Sequence, residues 1–215
     1  MRMRKKPHLP ERMERCAAWL TERPEDCMGR WREQYKPGAP LHLELGCGKG
    51  RFTVEQAKAH PDVLFVAMDV VPDAMVVAME RAKEAELTNL RFISGDAVRL
   101  CDWFAPGEVD TIYINFCDPW PRNRHTKRRL TYDTFLALYR TILKDGGSIR
   151  FKTDNAPLFA FSLERFAACG WRLTDVTDDL HAAGPADIMT DYEVKFSEQG
   201  IPIHRCIAWK DMKEV

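Results

Sequence analysis

Between Leu41 and Val176 the chain switches repeatedly between short apolar runs and stretches of helical spacing, joined by brief polar links. "LHLEL" from Leu41, "DVLFVAMD" from Asp62, "NLRFIS" from Asn89, "DTIYINF" from Asp110, "SIRFKT" from Ser148 and "WRLTDV" from Trp171 read as strands. Between them, helices are predicted over Arg51 to Ala59, Pro72 to Glu86, Ala97 to Trp103, Tyr132 to Leu143 and Pro157 to Ala168. Pro72 suits the first turn of its helix, and "KDGG" and Gly170 read as helix stops. Links this short leave one arrangement that buries both faces of a sheet, an α/β doubly wound fold with mostly parallel strands. The last strand, "IHRCIAW" from Ile203, follows a loop containing "MTDYE" with no helix between, so it is expected to run antiparallel.

At 215 residues the chain fits one domain, over 39–215, preceded by a basic arm with short helical pieces over 1–38. No apolar run approaches the roughly 18 residues of a membrane span. "MRMRKKPHLP" is basic but lacks the apolar core of a signal peptide, so a cytoplasmic location is expected. Seven scattered cysteines include no C-x-x-C, which gives neither a zinc site nor a disulfide framework, and no other metal site is read. Net charge is zero, which argues against a generic polyanion binder, but the charge is segregated. Arg122 to Arg129 holds five bases and His125, whereas Leu173 to Val194 holds six acids and neither Lys nor Arg.

"ELGCGKG", Glu44 to Gly50, links the first strand to the first helix. Glycines such as Gly46 and Gly48 let the backbone turn and a ligand approach, at the edge where open α/β sheets bind ligands. The motif lacks G-K-[ST] and has G-x-G-x-G spacing, so neither a P-loop nor a dinucleotide fingerprint fits. Asp69 ends the second strand, placed for a ribose diol, and Asp96 follows the third, within reach of an adenine amino group. Glu44 adds a carboxylate but nothing that would hold a pyrophosphate. Adenosine with a cationic or zwitterionic tail suits this set, and S-adenosylmethionine is such a ligand. Each acid taken singly also reads as a cap or turn residue.

Asp118 follows the fourth strand and opens "DPWPRNRHTKRR". Pro119 and Pro121 stiffen the turn around Trp120, which either stacks on a base or packs under its own loop. Arg122, Arg124, Lys127, Arg128 and Arg129 read as a phosphate-binding patch. At the end of the fifth strand Asp154, together with Glu193 in "TDYE", could accept the donors of guanine's Watson–Crick edge. Thr190 could orient either the base or the cofactor.

Taken together, "LELGCGKG", "SGDA", "NFCDPWPRNRHTKRRL", "FKTDN" and "MTDYEVKFSEQGIPIHR" resemble the bacterial tRNA (guanine-N7)-methyltransferases of the class I S-adenosylmethionine-dependent fold. The resemblance covers nearly the whole chain. It implies a seven-stranded sheet, tRNA as partner, and methylation of guanosine at position 46 in the variable loop. It also implies cofactor contacts from Glu44, Asp69, Asp96 and Asp118, with Asp118 as the active-site residue. Substrate contacts are implied for Arg122, Asp154, Thr190, Asp191, Tyr192 and Glu193, and RNA contacts for Arg124, His125, Thr126, Lys127, Arg128 and Arg129. Asp69 stands where the family usually has Glu, and Arg122 where Lys is usual, which exchanges a point charge for a planar fork. Three competing readings are an exocyclic-amine methyltransferase using the DPW turn, a pyrimidine enzyme with Cys117 as nucleophile, and an RNA-binding module with a vestigial cofactor pocket. Monomer and homodimer both stay open.

Overall fold

A computed structural model describes residues 6–182, 184 and 188–211. Its strands are β1 (Leu41–Leu45), β2 (Leu64–Asp69), β3 (Leu90–Ser94), β4 (Val109–Asn115), β5 (Leu143–Thr153), β6 (Arg172–Thr177) and β7 (His204–Trp209). They form one sheet in the order β3-β2-β1-β4-β5-β7-β6. The first five are parallel. β7 is antiparallel, as expected, but it inserts between β5 and β6 and leaves β6 at the edge.

The helices are α1 (Leu9–Glu14), α2 (Arg51–Ala59), α3 (Pro72–Glu84), α4 (Leu100–Trp103), α5 (Asp133–Ile142), α6 (Ala156–Ala168) and α7 (Asp191–Ser197). Among the described residues no helix is long and apolar enough to cross a membrane.

Alternation along the strands builds a core on each face of the sheet. Leu41, Leu43 and Leu45 of β1 join Leu64, Val66, Met68, Ile112 and Ile114 in one cluster, with Trp103 and Tyr139 from α4 and α5. Phe65, Ala67 and Tyr113 join Phe52, Met75 and Met79 from α2 and α3 in the other. Gly50 is required where these two helices meet, because a Cβ there would lie 2.3 Å from the Cβ of Ala78. The described part of the first 38 residues packs on this body. Trp31 is fully buried, its ring 5.2 Å from Phe104, and its indole donates to the Trp103 carbonyl at 2.8 Å. Arg2, Arg4 and Lys5, bases of the expected arm, lie outside the described residues.

Two local expectations are corrected. α5 ends at Ile142 without a glycine cap, and "KDGG" lies inside β5, which begins five residues earlier than "SIRFKT". The glycines serve a bulge. Pairing jumps from Val109↔Leu143 to Thr111↔Ser148, and a Cβ on Gly147 would crowd the Asp110 and Lys144 carbonyls at 3.0 and 2.9 Å. "MTDYE" opens a helix rather than lying in a loop. Thr190 caps α7, its hydroxyl accepting from the Glu193 amide at 2.9 Å while Glu193 accepts from the Thr190 amide at 3.3 Å. T-x-x-E is the spacing of that capping box, so the signal was present in the sequence.

Candidate active site

β1 and β4 are neighbours whose following connections run to opposite sides of the sheet, and a crevice opens above their carboxyl ends. Glu44, Asp69, Asp96, Asp118 and Asp154 all lie at this edge, on or just after β1 to β5. The sheet therefore brings together five acids scattered over more than 100 residues of sequence.

Glu44 is the floor. It is 3% exposed, and its Oε1 accepts from the Asn115 amide at 3.0 Å. Its Oε2 and the Asn115 Oδ1 are buried without a partner among the described residues. Burial pushes the Glu44 carboxyl up to about 7, against the Asn115 hydrogen bond; nearby Asp69 adds to the rise and Lys152 opposes it. Above it the loop turns through Gly46 and Gly48, at φ 78° and 56°, with open space where a Cβ would stand.

Asp69 is half-buried. Its two oxygens accept the amides of Gly48 and Val71, each at 2.8 Å, so in this conformation it braces the glycine loop against β2 as well as facing the crevice. Burial holds its carboxyl above the ordinary value despite these bonds. Asp96 is exposed and accepts the Val98 amide at 3.0 Å. Just after these two acids come Val70 and Val98, 62% and 58% exposed, apolar surface that no sequence motif marks.

Asp118 is exposed and has no hydrogen-bond or ion-pair partner among the described residues. The turn around it is tightly built. Phe116 and Trp120 both take left-handed φ, 52° and 41°, rare for large side chains. Trp120 packs within its loop: its ring meets His125 edge-on at 5.5 Å and lies under the Arg128 guanidinium at 5.0 Å. Arg129 donates to the Pro119 and Trp120 carbonyls at 3.0 and 3.2 Å and stacks over Phe161. Arg128 and Arg129 thus hold the turn. Thr126 is half-buried, its hydroxyl donating to the Asn123 carbonyl at 2.8 Å. Arg122, Arg124 and Lys127 are exposed, their side chains with no hydrogen-bond, ion-pair or ring partner among the described residues, which makes them the least engaged cations of the loop. Burial, with Asp118 beside it, pushes the Cys117 thiol up to about 12, which removes it as a nucleophile at neutral pH.

Asp154 is half-buried just beyond β5 and without a partner among the described residues. The TDYE residues divide. Glu193 is fully buried, its carboxylate on Lys152 Nζ at 3.0 Å and His181 Nε2 at 3.2 Å. It faces inward in this ligand-free conformation, held by these two partners and not open to the surface. With Thr190, 8% exposed, it seats α7. Asp191 pairs with Arg81, which also donates to the Lys49 carbonyl and so ties α7 to the glycine loop. Tyr192 points outward, 56% exposed, beside Phe116 and Phe196. Asn115 and Lys152 were missed in the sequence. Asn115 was signalled as the polar residue that ends the apolar run of β4, whereas Lys152, in the more polar β5, had no such signal; the two are register partners.

A family model described as "Putative methyltransferase" matches residues 38–206. The tRNA (guanine-N(7)-)-methyltransferase of Halalkalibacterium halodurans is 46% identical over 209 residues, covering 97% of this chain and 95% of that one. That of Geobacillus kaustophilus is 45% identical over the same length, covering 96% of its own. The chain belongs to the tRNA (guanine-N7)-methyltransferase family. Solved structures place this family member in the class I methyltransferase fold. The 16S rRNA methyltransferase KamB superposes with a TM-score of 0.63 at 20% identity over 86% of this chain and 92% of that one. The antibiotic-resistance methyltransferase Kmr superposes at 0.60 and 15% identity over 87% and 93%. At such identity these likenesses speak of the fold alone.

Proposed function

We propose that the chain transfers the methyl group of S-adenosylmethionine to N7 of guanosine 46 in the variable loop of tRNA, as a cytoplasmic enzyme. The observation that carries this reading is the position of Asp118. It stands exposed and, among the described residues, unpaired, at the edge that collects the strand-end acids and at the head of the loop that carries Arg122, Arg124 and Lys127. The relatives named for this reaction match over nearly their whole length.

The residues present fit the cofactor. A buried oxygen on Glu44, without a partner among the described residues, lies beneath the glycine loop, with open space over Gly46 and Gly48 and apolar Val70 and Val98 beside the acids suited to a ribose and an adenine. Glu44, Gly46, Gly48, Asp69, Asp96 and Asp118 would hold it. When bound, S-adenosylmethionine supplies an electrophilic methyl group on a sulfonium.

Guanine N7 carries a lone pair at neutral pH, so the protein needs no strong base. Its task is alignment, which can contribute several kcal/mol, and stabilisation of the cation that develops on the purine. Asp118 supplies negative charge where that cation forms, and Asp154 faces the base beside it. Arg122, Arg124 and Lys127 hold phosphates, assisted by His125 and Thr126 on the same loop.

Methyl transfer from labelled S-adenosylmethionine to unmodified tRNA, with nucleoside mass spectrometry and site mapping, tests the reading. N7-methylguanosine in the variable loop is the expected product. Methyl on an exocyclic amine would overturn the reaction assigned to the DPW turn, and cofactor binding without transfer would overturn the substrate.

A further inference from the structure

A base presented to Asp118 needs a surface against which its ring can lie. Trp120, the obvious choice in sequence, is turned into its own loop beneath Arg128 and against His125. Its face is already covered by a cation of the same loop.

Three other rings gather beginning two residues before Asp118. Phe116 follows β4 directly, its amide donating to the Lys152 carbonyl at 2.9 Å, and holds φ at 52°. Such a backbone costs a large non-glycine residue free energy that the surrounding turn must offset, and strain of this kind concentrates at functional positions. Its ring is 6.3 Å from Tyr192 at 26° and 6.1 Å from Phe196 at 41°. Tyr192 and Phe196 are themselves 6.1 Å apart at 28°. Tyr192 is 56% exposed, more than any other Phe, Tyr or Trp among the described residues, and its contact with Phe116 sets it at the carboxyl edge of the sheet. The cluster joins the catalytic turn to α7, whose seat is fixed from below by Glu193 on Lys152 and His181.

We propose that Phe116, Tyr192 and Phe196 form the stacking wall for the extruded purine, with Tyr192 as the ring that meets it. This deepens the function proposed above and rests on it. A purine has a π-face whatever its edge, so the wall provides affinity without sequence readout, while Asp118 and Asp154 read the edge. After transfer the purine is cationic, and aromatic faces attract a cation. The wall therefore favours the ring more as charge develops on it.

The test compares Tyr192→Phe and Tyr192→Leu under single-turnover conditions at saturating tRNA, with cofactor affinity measured in parallel. Tyr192→Phe keeps the ring and should transfer within about twofold of the parent. Tyr192→Leu keeps apolar volume at an exposed position, so the protein still folds, and it should slow transfer about tenfold or more with cofactor affinity unchanged. A tRNA carrying 2-aminopurine at the methylated position gives a second readout independent of turnover. Its fluorescence should be quenched on binding the parent and Tyr192→Phe, and should rise on binding Tyr192→Leu. Parent-like transfer and quenching in Tyr192→Leu would overturn the wall. Absence of N7-methylguanosine with the parent protein would instead overturn the function on which it rests.

Discussion

The two ends of the parallel sheet both collect acids, yet they treat them differently. At the amino end Glu108 accepts the amides of Gly29, Trp31 and Ala105, at 2.8 to 3.1 Å. Asp110 accepts from the Leu41 amide and pairs with Arg32 and Lys144. His42 is half-buried against Phe65, with Tyr113 Oη at 3.2 Å from its Nδ1. Burial holds it down at about 4, so it is neutral at physiological pH. At the carboxyl end Glu44, two residues along the same strand and on the same face, keeps a buried oxygen without a partner, and Asp118 accepts no hydrogen bond among the described residues. Burial alone does not mark a site. A buried acid completed by its own fold is architecture, and one left incomplete is a place for a ligand.

Substitutions at the two ends put that contrast at risk. Asp118→Ala should have the largest effect, cutting single-turnover transfer by about 10²-fold or more, the scale of a lost electrostatic stabiliser. Its tRNA affinity should stay within about twofold; equal losses in rate and affinity would move Asp118 from the chemistry to the binding surface.

Glu44→Gln comes next. An acid whose folded pKa lies above its ordinary 4.5, here at about 7, keeps its proton longer in the folded state. Its burial as a charge therefore costs nothing below about pH 4.5 and most above about pH 7, about 3 kcal/mol at the upper end. The amide should stabilise the ligand-free protein at pH 8 by about 2 kcal/mol and remove the loss of stability between about pH 4.5 and 7, while weakening cofactor binding. A chemical-denaturation series across pH checks it, and a Glu44→Gln protein less stable than the parent at pH 8 would sink the idea.

Asp110→Ala should do the opposite. Burial pushes this carboxyl up, but Lys144, the Leu41 amide and Arg32 outweigh it, so it sits below its ordinary value. Its stabilisation is present at neutral pH and fades as pH falls through that lowered value. Losing it should cost about 1–2 kcal/mol at pH 7, discounted because both cations are partly exposed, with transfer intact at temperatures where the protein is folded. Thermal unfolding paired with an activity assay separates the two. The smallest effect belongs to Arg124→Ala with Lys127→Ala. Each lost phosphate contact should lower the salt slope of tRNA binding by about one unit or less, and an unchanged slope would take both off the RNA.

Much of this was legible before the structure. Period and punctuation marked the strands and most helices, and the acids of the edge were visible because each follows an apolar run. What escaped depended on contacts distant in sequence. Nothing local says that Arg128 and Arg129 turn back onto the DPW turn while Lys127 does not. Glu193 looked like an exposed acid because its partners, Lys152 and His181, come from β5 and the segment after β6. The "KDGG" glycines looked like a helix stop because the carbonyl of Asp110, which Gly147 must clear, lies more than thirty residues away. α7, by contrast, was missed although its capping box is wholly local.

The insertion of β7 between β5 and β6 has a consequence during synthesis. β6 touches the sheet only through β7, and one edge of β5 has no other partner. Chains emerge from the ribosome amino end first. The half of the sheet from β3 to β5 can therefore pair while the chain is still being made, whereas β5 keeps an open edge and β6 waits until residues 204 to 209 have emerged. α7 lies between β6 and β7 in the chain, so its seat on Lys152 of β5 also forms only after that first half of the sheet has been made. A chain cut before residue 204 would keep the strands that carry the glycine loop and lose the only strand that joins β6 to the sheet.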